Sequence, residues 1–126
     1  MSIDNLNDIT AQTYIRLYQS AHRIMDDACP FTEPEFDLVA LARLVGTNRT
    51  QLSTAINQHA HTSFSNWLAE YRINYLIRQM NNHPGTSIDE LYPTAGFAAR
   101  STFYRQFRQV TGLTPKQYFQ RENTQE

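Results

Sequence analysis

Few side chains in this sequence have the type and spacing that catalysis or metal binding requires. His59 and His61 form a His-x-His pair, but no third metal ligand follows at helical spacing, so they are interpreted as ordinary loop histidines. Cys29 is the single cysteine, with no neighbouring base, and is interpreted as a small hydrophobic residue. Because the sequence also has no nucleophile–base pair and no phosphate-binding loop, we expect no enzymatic activity and no metal or cofactor.

Charge is distributed unevenly along the chain, although the net charge of the 126 residues is only −1. Residues 1–37 carry two arginines and seven acids, whereas residues 38–126 carry nine cations and five acids. This division indicates a polyanionic partner for the second part. No apolar run reaches the ~18 residues of a membrane span and no secretion signal is visible, which predicts a cytoplasmic protein without a membrane partner.

The aromatic residues allow two interpretations. They could form a platform on which the bases of a single strand stack. Their helical spacing favours a buried core instead, with Tyr104 as an exception on an outward face. The set comprises Phe64, Trp67, Tyr71, Phe97, Phe103, Phe107, Tyr118 and Phe119.

The elements that position these side chains form an internal repeat. The first copy consists of Leu38, Leu41, Ala42, Gly46, Leu52 and Ile56, and the second of Ile88, Leu91, Tyr92, Gly96, Phe103 and Phe107. The offset is 50 residues up to the glycine and 51 after it. Apolar residues three and four apart mark a helix face, and glycine supplies a tight turn. Each copy therefore predicts a helix-turn-helix unit, which can present its second helix to the major groove of DNA.

The remaining pattern predicts an all-α fold of about seven or eight helices and no strand. Helices are expected over 10–28, 36–45, 49–58 and 64–82, and near 88–95, with Asn48, Ser63 and Ser87 as N-caps and Thr114–Pro115 opening the final helix. The 64–82 helix bridges the two units. Its 19 residues span ~28 Å at ~1.5 Å per residue, which suits a spacer between major-groove faces ~34 Å apart.

The N-terminal helix has three possible roles. We favour its packing on the first unit as an additional core helix. It could also be a dimerisation stripe that makes the protein a homodimer, or the end of a linker to an upstream sensor domain.

Three segments of the sequence resemble the DNA-binding domain of the AraC/XylS family of bacterial transcription regulators. They are LARLVGTNRTQLSTAIN (41–57), YRINYLIRQM (71–80) and AGFAARSTFYRQFRQVTGLTPKQY (95–118). The resemblance covers residues 36–121. It divides the chain into an N-terminal helix and connector (1–35), a DNA-binding domain (units 36–62 and 86–121 around a linker helix 63–83) and a tail (122–126).

The resemblance implies two recognition helices that insert into adjacent major grooves of double-stranded DNA. The positions matching the family's base-reading residues, with their close neighbours, are Thr50, Gln51, Ser53, Thr54 and Asn57 in the first unit and Arg100, Ser101, Tyr104 and Arg105 in the second. Arginine can bind guanine through two hydrogen bonds, glutamine and asparagine can read adenine, and threonine can contact the thymine methyl.

The remaining cations are better suited to phosphate contacts, which position a protein on DNA without specifying a base. They are Arg49, Arg72, Arg78, Arg108, Lys116 and Arg121. The resemblance further implies a sequence-specific transcription activator with RNA polymerase as its protein partner. An alternative is a protein-interaction module that keeps the fold but has lost DNA reading in its second unit.

The second unit departs from the family pattern at three positions. Tyr92 replaces a small alanine, and Pro93 follows it in what should be a helix interior, where proline removes a backbone hydrogen bond. Ala99 stands where the family often has a capping serine. We therefore predict a shortened or kinked helix near 88–95 and a second unit that is less rigid than the first.

Overall fold

Every regular element in the described chain is helical, which confirms the all-α prediction. The structure is a computed structural model that describes the backbone of residues 3–124 and the side chains of residues 10–120. The helices are α1 (Ile3–Ala28), α2 (Leu38–Val45), α3 (Arg49–Ala60), α4 (Phe64–Asn82), α5 (Ile88–Leu91), α6 (Arg100–Thr111) and α7 (Pro115–Thr124), with 3₁₀ turns at Pro30–Thr32 and Tyr92–Ala95. No helix within residues 3–124 is long and apolar enough to cross a membrane.

Contacts divide the chain into two compact units, whose boundaries differ from those of the two helix-turn-helix units predicted from the sequence. From here on, the first and second unit are these two compact units. The first contains α1, α2, α3 and the start of α4 through Trp67. The second contains Phe31–Glu35 and the chain from Leu68 onward. The segment 31–35, expected to be only a connector, is therefore part of the second unit.

In the first unit, α1 packs against α2 and α3. Its Ala21 and Met25 are fully buried, as are Leu52 and Ile56 of α3. The ring of Tyr18 lies 6.1 Å from that of Trp67. This is the core-helix role favoured above, because apolar side chains of α1 are buried within its own unit.

Side-chain caps fix the beginnings of α2, α3, α4, α5 and α7. The backbone N–H of Gln51 donates to Asn48 Oδ1 at 2.8 Å, and Ser63 and Ser87 accept in the same way at the starts of α4 and α5, as predicted. Helix α2 begins at Leu38 rather than residue 36, because the Asp37 side chain accepts from Ala40 N–H at 2.8 Å. At α7, Thr114 and Gln117 each accept from the other's backbone N–H, which is a capping box.

The core of the second unit is built from α4, the α5–α6 turn and α6. Its fully or nearly fully buried side chains are Ile73, Leu76, Ala95, Phe97, Phe103 and Phe107. Phe107 packs edge-on against Tyr118 of α7, with ring centroids 5.5 Å apart. Because Phe97, Phe103 and Phe107 are 2% exposed or less, these three rings belong to the core rather than to a base-stacking surface.

Helix α5 is only four residues long, which confirms the predicted shortening. The chain tightens into the 3₁₀ turn Tyr92–Ala95, in which Pro93 has no N–H to donate but its carbonyl accepts from Gly96 N–H at 3.1 Å. The ring of Tyr92 stacks on Phe103 at 5.2 Å between centroids and 6° between planes. The bulky residue is thus accommodated, half-buried, against the core.

The glycines of the two helix-turn-helix motifs, Gly46 after α2 and Gly96 after the 3₁₀ turn Tyr92–Ala95, differ in what surrounds them. Gly46 and Gly96 have φ of +90° and +97°, a conformation that side-chain-bearing residues rarely adopt. A Cβ at Gly46 would meet nothing within 4 Å. At Gly96 it would collide with the carbonyl oxygen of Phe31 and lie 2.8 Å from Arg72 Nε.

We expect Gly96→Ala to destabilise the protein more than its matched control, Gly46→Ala. Both changes force alanine into a left-handed conformation, at about 1–2 kcal/mol. Only Gly96→Ala must also displace the backbone at Phe31. Urea denaturation followed by helical circular dichroism measures both free energies of unfolding, and equal losses would contradict the predicted contact.

Candidate nucleic-acid interface

Helix α3 presents a polar face that carries all five predicted base-reading residues of the first unit. Leu52, Ala55 and Ile56 are buried on the opposite face. Among the predicted residues, Thr50, Gln51 and Asn57 are exposed, whereas Ser53 and Thr54 are half-buried. The buried apolar residues thus fix which side of the helix is available to a ligand.

Two local hydrogen bonds orient polar groups on α3. Gln51 Oε1 accepts from the Thr47 hydroxyl at 2.7 Å, and the Thr54 hydroxyl donates to the Thr50 carbonyl at 3.0 Å. The first bond leaves the Gln51 amide N–H₂ available as a donor. It also leaves a second lone pair on the amide oxygen, so both groups needed to read adenine remain on this side chain.

Helix α6 carries the predicted residues of the second unit. Arg100, Ser101 and Arg105 are exposed. Tyr104, predicted on an outward face, is half-buried: its ring packs edge-on against Phe103 at 4.9 Å, and its hydroxyl contacts the exposed Arg100. As predicted for Ala99, no side-chain hydrogen bond caps the start of α6.

Arg100 is held by two neighbours within its unit. Its Nε donates to Asp89 Oδ1 at 2.9 Å, and its Nη2 donates to the Tyr104 hydroxyl at 2.8 Å. The guanidinium carbon lies 4.4 Å from the centre of the Tyr104 ring, within cation–π distance. The hydrogen bond with Asp89 is the main cause that raises the pKa of Arg100.

Asp89 is a residue that the sequence interpretation missed. It lies in the first turn of α5, eleven positions before Arg100. Nothing in that spacing singles out this pair, since the α5–α6 turn determines which side chains meet.

The predicted phosphate-contacting cations do not share one environment. Arg49, Arg78, Arg108 and Lys116 are exposed, with the guanidinium of Arg78 6.0 Å from the ring centre of Tyr75. The side chain of Arg121 lies outside the described residues.

The phosphate assignment of Arg72 is corrected by the structure. Arg72 is only 9% exposed, and its Nε and Nη2 donate to the carbonyl oxygens of Phe31 and Glu33 at 2.9 and 3.1 Å. Burial lowers the pKa of this guanidinium. Its hydrogen bonds hold the 31–35 segment in the second unit, so Arg72 has a structural role.

The His-x-His pair lies on and after helix α3. His59, in the last turn, has its ring 5.7 Å from that of Tyr18, so it is not the loop residue that was expected. His61 follows the helix in a left-handed conformation. Within the part of the chain whose side chains are described, no three His, Cys, Asp or Glu residues are grouped to hold a metal ion.

Comparison with known proteins gives one family and several solved structures of the same fold. A family model described as a helix-turn-helix domain matches residues 41–121. No curated protein matches the chain.

Three solved structures share the fold. One is a Listeria innocua protein of unknown function, with 25% identity, a TM-score of 0.63, and coverage of 77% of this chain and 88% of that one. Another is the C-terminal domain of AraT, a response regulator from Geobacillus stearothermophilus, at 20% identity, TM-score 0.67 and 82% coverage of both. The third is a Chromobacterium violaceum transcriptional regulator with an AraC-type DNA-binding domain, at 24% identity, TM-score 0.66 and coverage of 85% and 89%.

We expect Arg72→Met to lower the free energy of unfolding by about 2–3 kcal/mol, because hydrogen bonds from a charged donor to the two carbonyls are lost. Arg78→Met is the matched control on the same helix. As an exposed substitution it should cost about 0.5 kcal/mol or less. Urea titrations of the two variants test this, and a similar loss in both would remove the structural role assigned to Arg72.

Proposed function

We propose a specific mode of action for this chain, which belongs to the AraC/XylS family of helix-turn-helix proteins and is a DNA-binding transcription regulator. In this proposal α3 and α6 are recognition helices that insert into adjacent major grooves of one double-stranded site. The observation that carries it is the matching construction of the two helices. Each is 12 residues long, follows a glycine turn, and buries one apolar face while exposing polar side chains on the other.

The chemistry of α3 supports reading of adenine and thymine. Gln51 and Asn57 are exposed amides, which pair with the N6 and N7 edge of adenine. Thr50 and Thr54 offer methyl groups suited to the thymine methyl, and Ser53 offers a hydroxyl. We assign these five residues to the first half of the site.

The chemistry of α6 supports reading of guanine. Arg100 and Arg105 are exposed guanidinium groups, the side chains best suited to guanine O6 and N7. Ser101 lies between them in sequence, and Tyr104 contacts Arg100 through its ring and its hydroxyl. We assign this half of the site to Arg100, Ser101, Tyr104 and Arg105, with Arg49, Arg78, Arg108, Lys116 and Arg121 on phosphates.

The finer regulatory features follow from the family resemblance alone. We propose that the protein is an activator, that RNA polymerase is its partner and that it acts in the cytoplasm. A homodimer or an upstream sensor domain would bring a second site or a signal to the same DNA-binding unit.

We expect the purified protein to enrich a two-part sequence from sheared genomic DNA, with half-elements about one helical turn apart. Arg100→Ala combined with Arg105→Ala should remove selectivity in one half-element only. Gln51→Ala combined with Asn57→Ala should remove it in the other. Sequencing of the captured DNA is the measurement, and circular dichroism confirms folding of each variant.

Two outcomes would count against this mode of action. Capture of a single short element would mean that one recognition helix does not read bases. No enrichment would favour the alternative of a protein-interaction module that keeps the fold without reading DNA.

Affinity for the selected site should fall steeply with salt, because each phosphate contact releases bound counterions. Arg49→Gln should reduce the slope of log K against log salt concentration by about 0.9. Arg72→Gln, measured below its melting temperature, should leave the slope unchanged. Fluorescence anisotropy between 50 and 200 mM salt tests both variants, and a shallower slope for Arg72→Gln would restore its phosphate assignment.

A further inference from the structure

The contacts of Arg100 leave one edge of its guanidinium uncommitted. Nε–H is directed to Asp89 and one N–H of Nη2 to the Tyr104 hydroxyl. Among the described residues, no partner lies on Nη1. The two N–H bonds of Nη1 and the second one of Nη2 therefore remain as donors, and arginine N–H donors of this kind bind guanine O6 and N7.

Three contacts restrict the orientation of this edge. A flexible arginine loses side-chain entropy when it is fixed, which weakens any base contact that must order it. Here the guanidinium carbon lies 4.4 Å from the centre of the Tyr104 ring, and hydrogen bonds to Asp89 and to the Tyr104 hydroxyl hold Nε and Nη2. The ring itself is packed against the buried Phe103.

Asp89 also offsets an unfavourable charge at the start of α6. Arg100 is the first residue of α6, where the helix dipole disfavours a cation and where Ala99 supplies no side-chain cap. The Asp89 carboxylate offsets that positive charge. It also links the start of α6 to α5 across the turn that contains Pro93.

We propose that Asp89 is a positioning residue that sets the base specificity of Arg100. By occupying Nε, it directs the free edge of the guanidinium to one guanine and reduces the tendency of Arg100 to bind phosphate instead. Tyr104, which contacts the same guanidinium, is the second positioning residue. The inference rests on the proposed function, because it assigns a role within the DNA contact of α6.

Glu90 provides a matched control for Asp89. It is also exposed and lies next to Asp89 in α5, but no contact joins its side chain to Arg100 among the described residues. Asp89→Asn and Glu90→Gln each raise the net charge by one while conserving size. A purely electrostatic effect on DNA binding must therefore be similar in both variants.

The test uses the DNA site enriched by the unaltered protein, with every base pair replaced in turn, at one fixed salt concentration. We expect Asp89→Asn to lower discrimination at a single G·C pair by about 5–10-fold, and Glu90→Gln to leave it within about twofold. Tyr104→Phe should weaken discrimination at the same pair. In an Arg100→Ala background, Asp89→Asn should have no further effect at that pair, because the two changes remove one coupled interaction.

Several results would overturn the proposal. Equal effects of Asp89→Asn and Glu90→Gln would mean that Asp89 affects DNA binding only through its negative charge. Sharper discrimination by the Asp89→Asn variant would mean that Asp89 weakens the contact between Arg100 and the base. If Arg100→Ala leaves discrimination at every pair unchanged, the inference fails while selective binding by the protein stands. If the unaltered protein enriches no site at all, the inference and the proposed function both fail.

Discussion

The second unit depends on a buried guanidinium that substitutes for regular secondary structure. Residues 31–35 form no strand or long helix, so their carbonyl groups have few partners from regular hydrogen bonding. Arg72 supplies donors to two of them, at Phe31 and Glu33. The close approach of Phe31 and Arg72 to the backbone at Gly96 requires a residue without a side chain there. The turn that precedes α6 is thus built against this buried arginine.

The second unit also shows how a helix-turn-helix accommodates residues that disfavour a helix. Pro93 confines α5 to one turn, and the following 3₁₀ turn leads to Gly96. Tyr92 adds a ring stacked on Phe103, so the side chain that replaces a small residue contributes to the core. The absence of a side-chain cap at Ala99 is accompanied by the Asp89–Arg100 ion pair.

Much of the fold could be predicted from the sequence because helix starts and helix lengths depend on residues that are close together in the chain. Asn48, Ser63 and Ser87 mark helix starts through their own side chains, and Pro93 shortens α5 whatever surrounds it. The roles of Arg72 and Asp89 could not be predicted in the same way. Arg72 donates to groups 41 and 39 positions earlier in the chain, and a cation in a basic sequence looks the same whether it is buried or exposed. Only the packed structure separates these cases.

The division of the chain between its two units determines which fragments of the chain contain a complete unit. The polypeptide leaves the first unit at Pro30, returns to it at Phe36 and leaves again after Trp67. No single cut therefore separates the units, although the repeat in the sequence suggests two consecutive modules. A gene fragment that begins at residue 36 encodes both helix-turn-helix motifs but omits the carbonyl groups that receive the Arg72 hydrogen bonds. The second compact unit thus includes a peptide, Phe31–Glu35, that precedes the first helix-turn-helix motif in the chain.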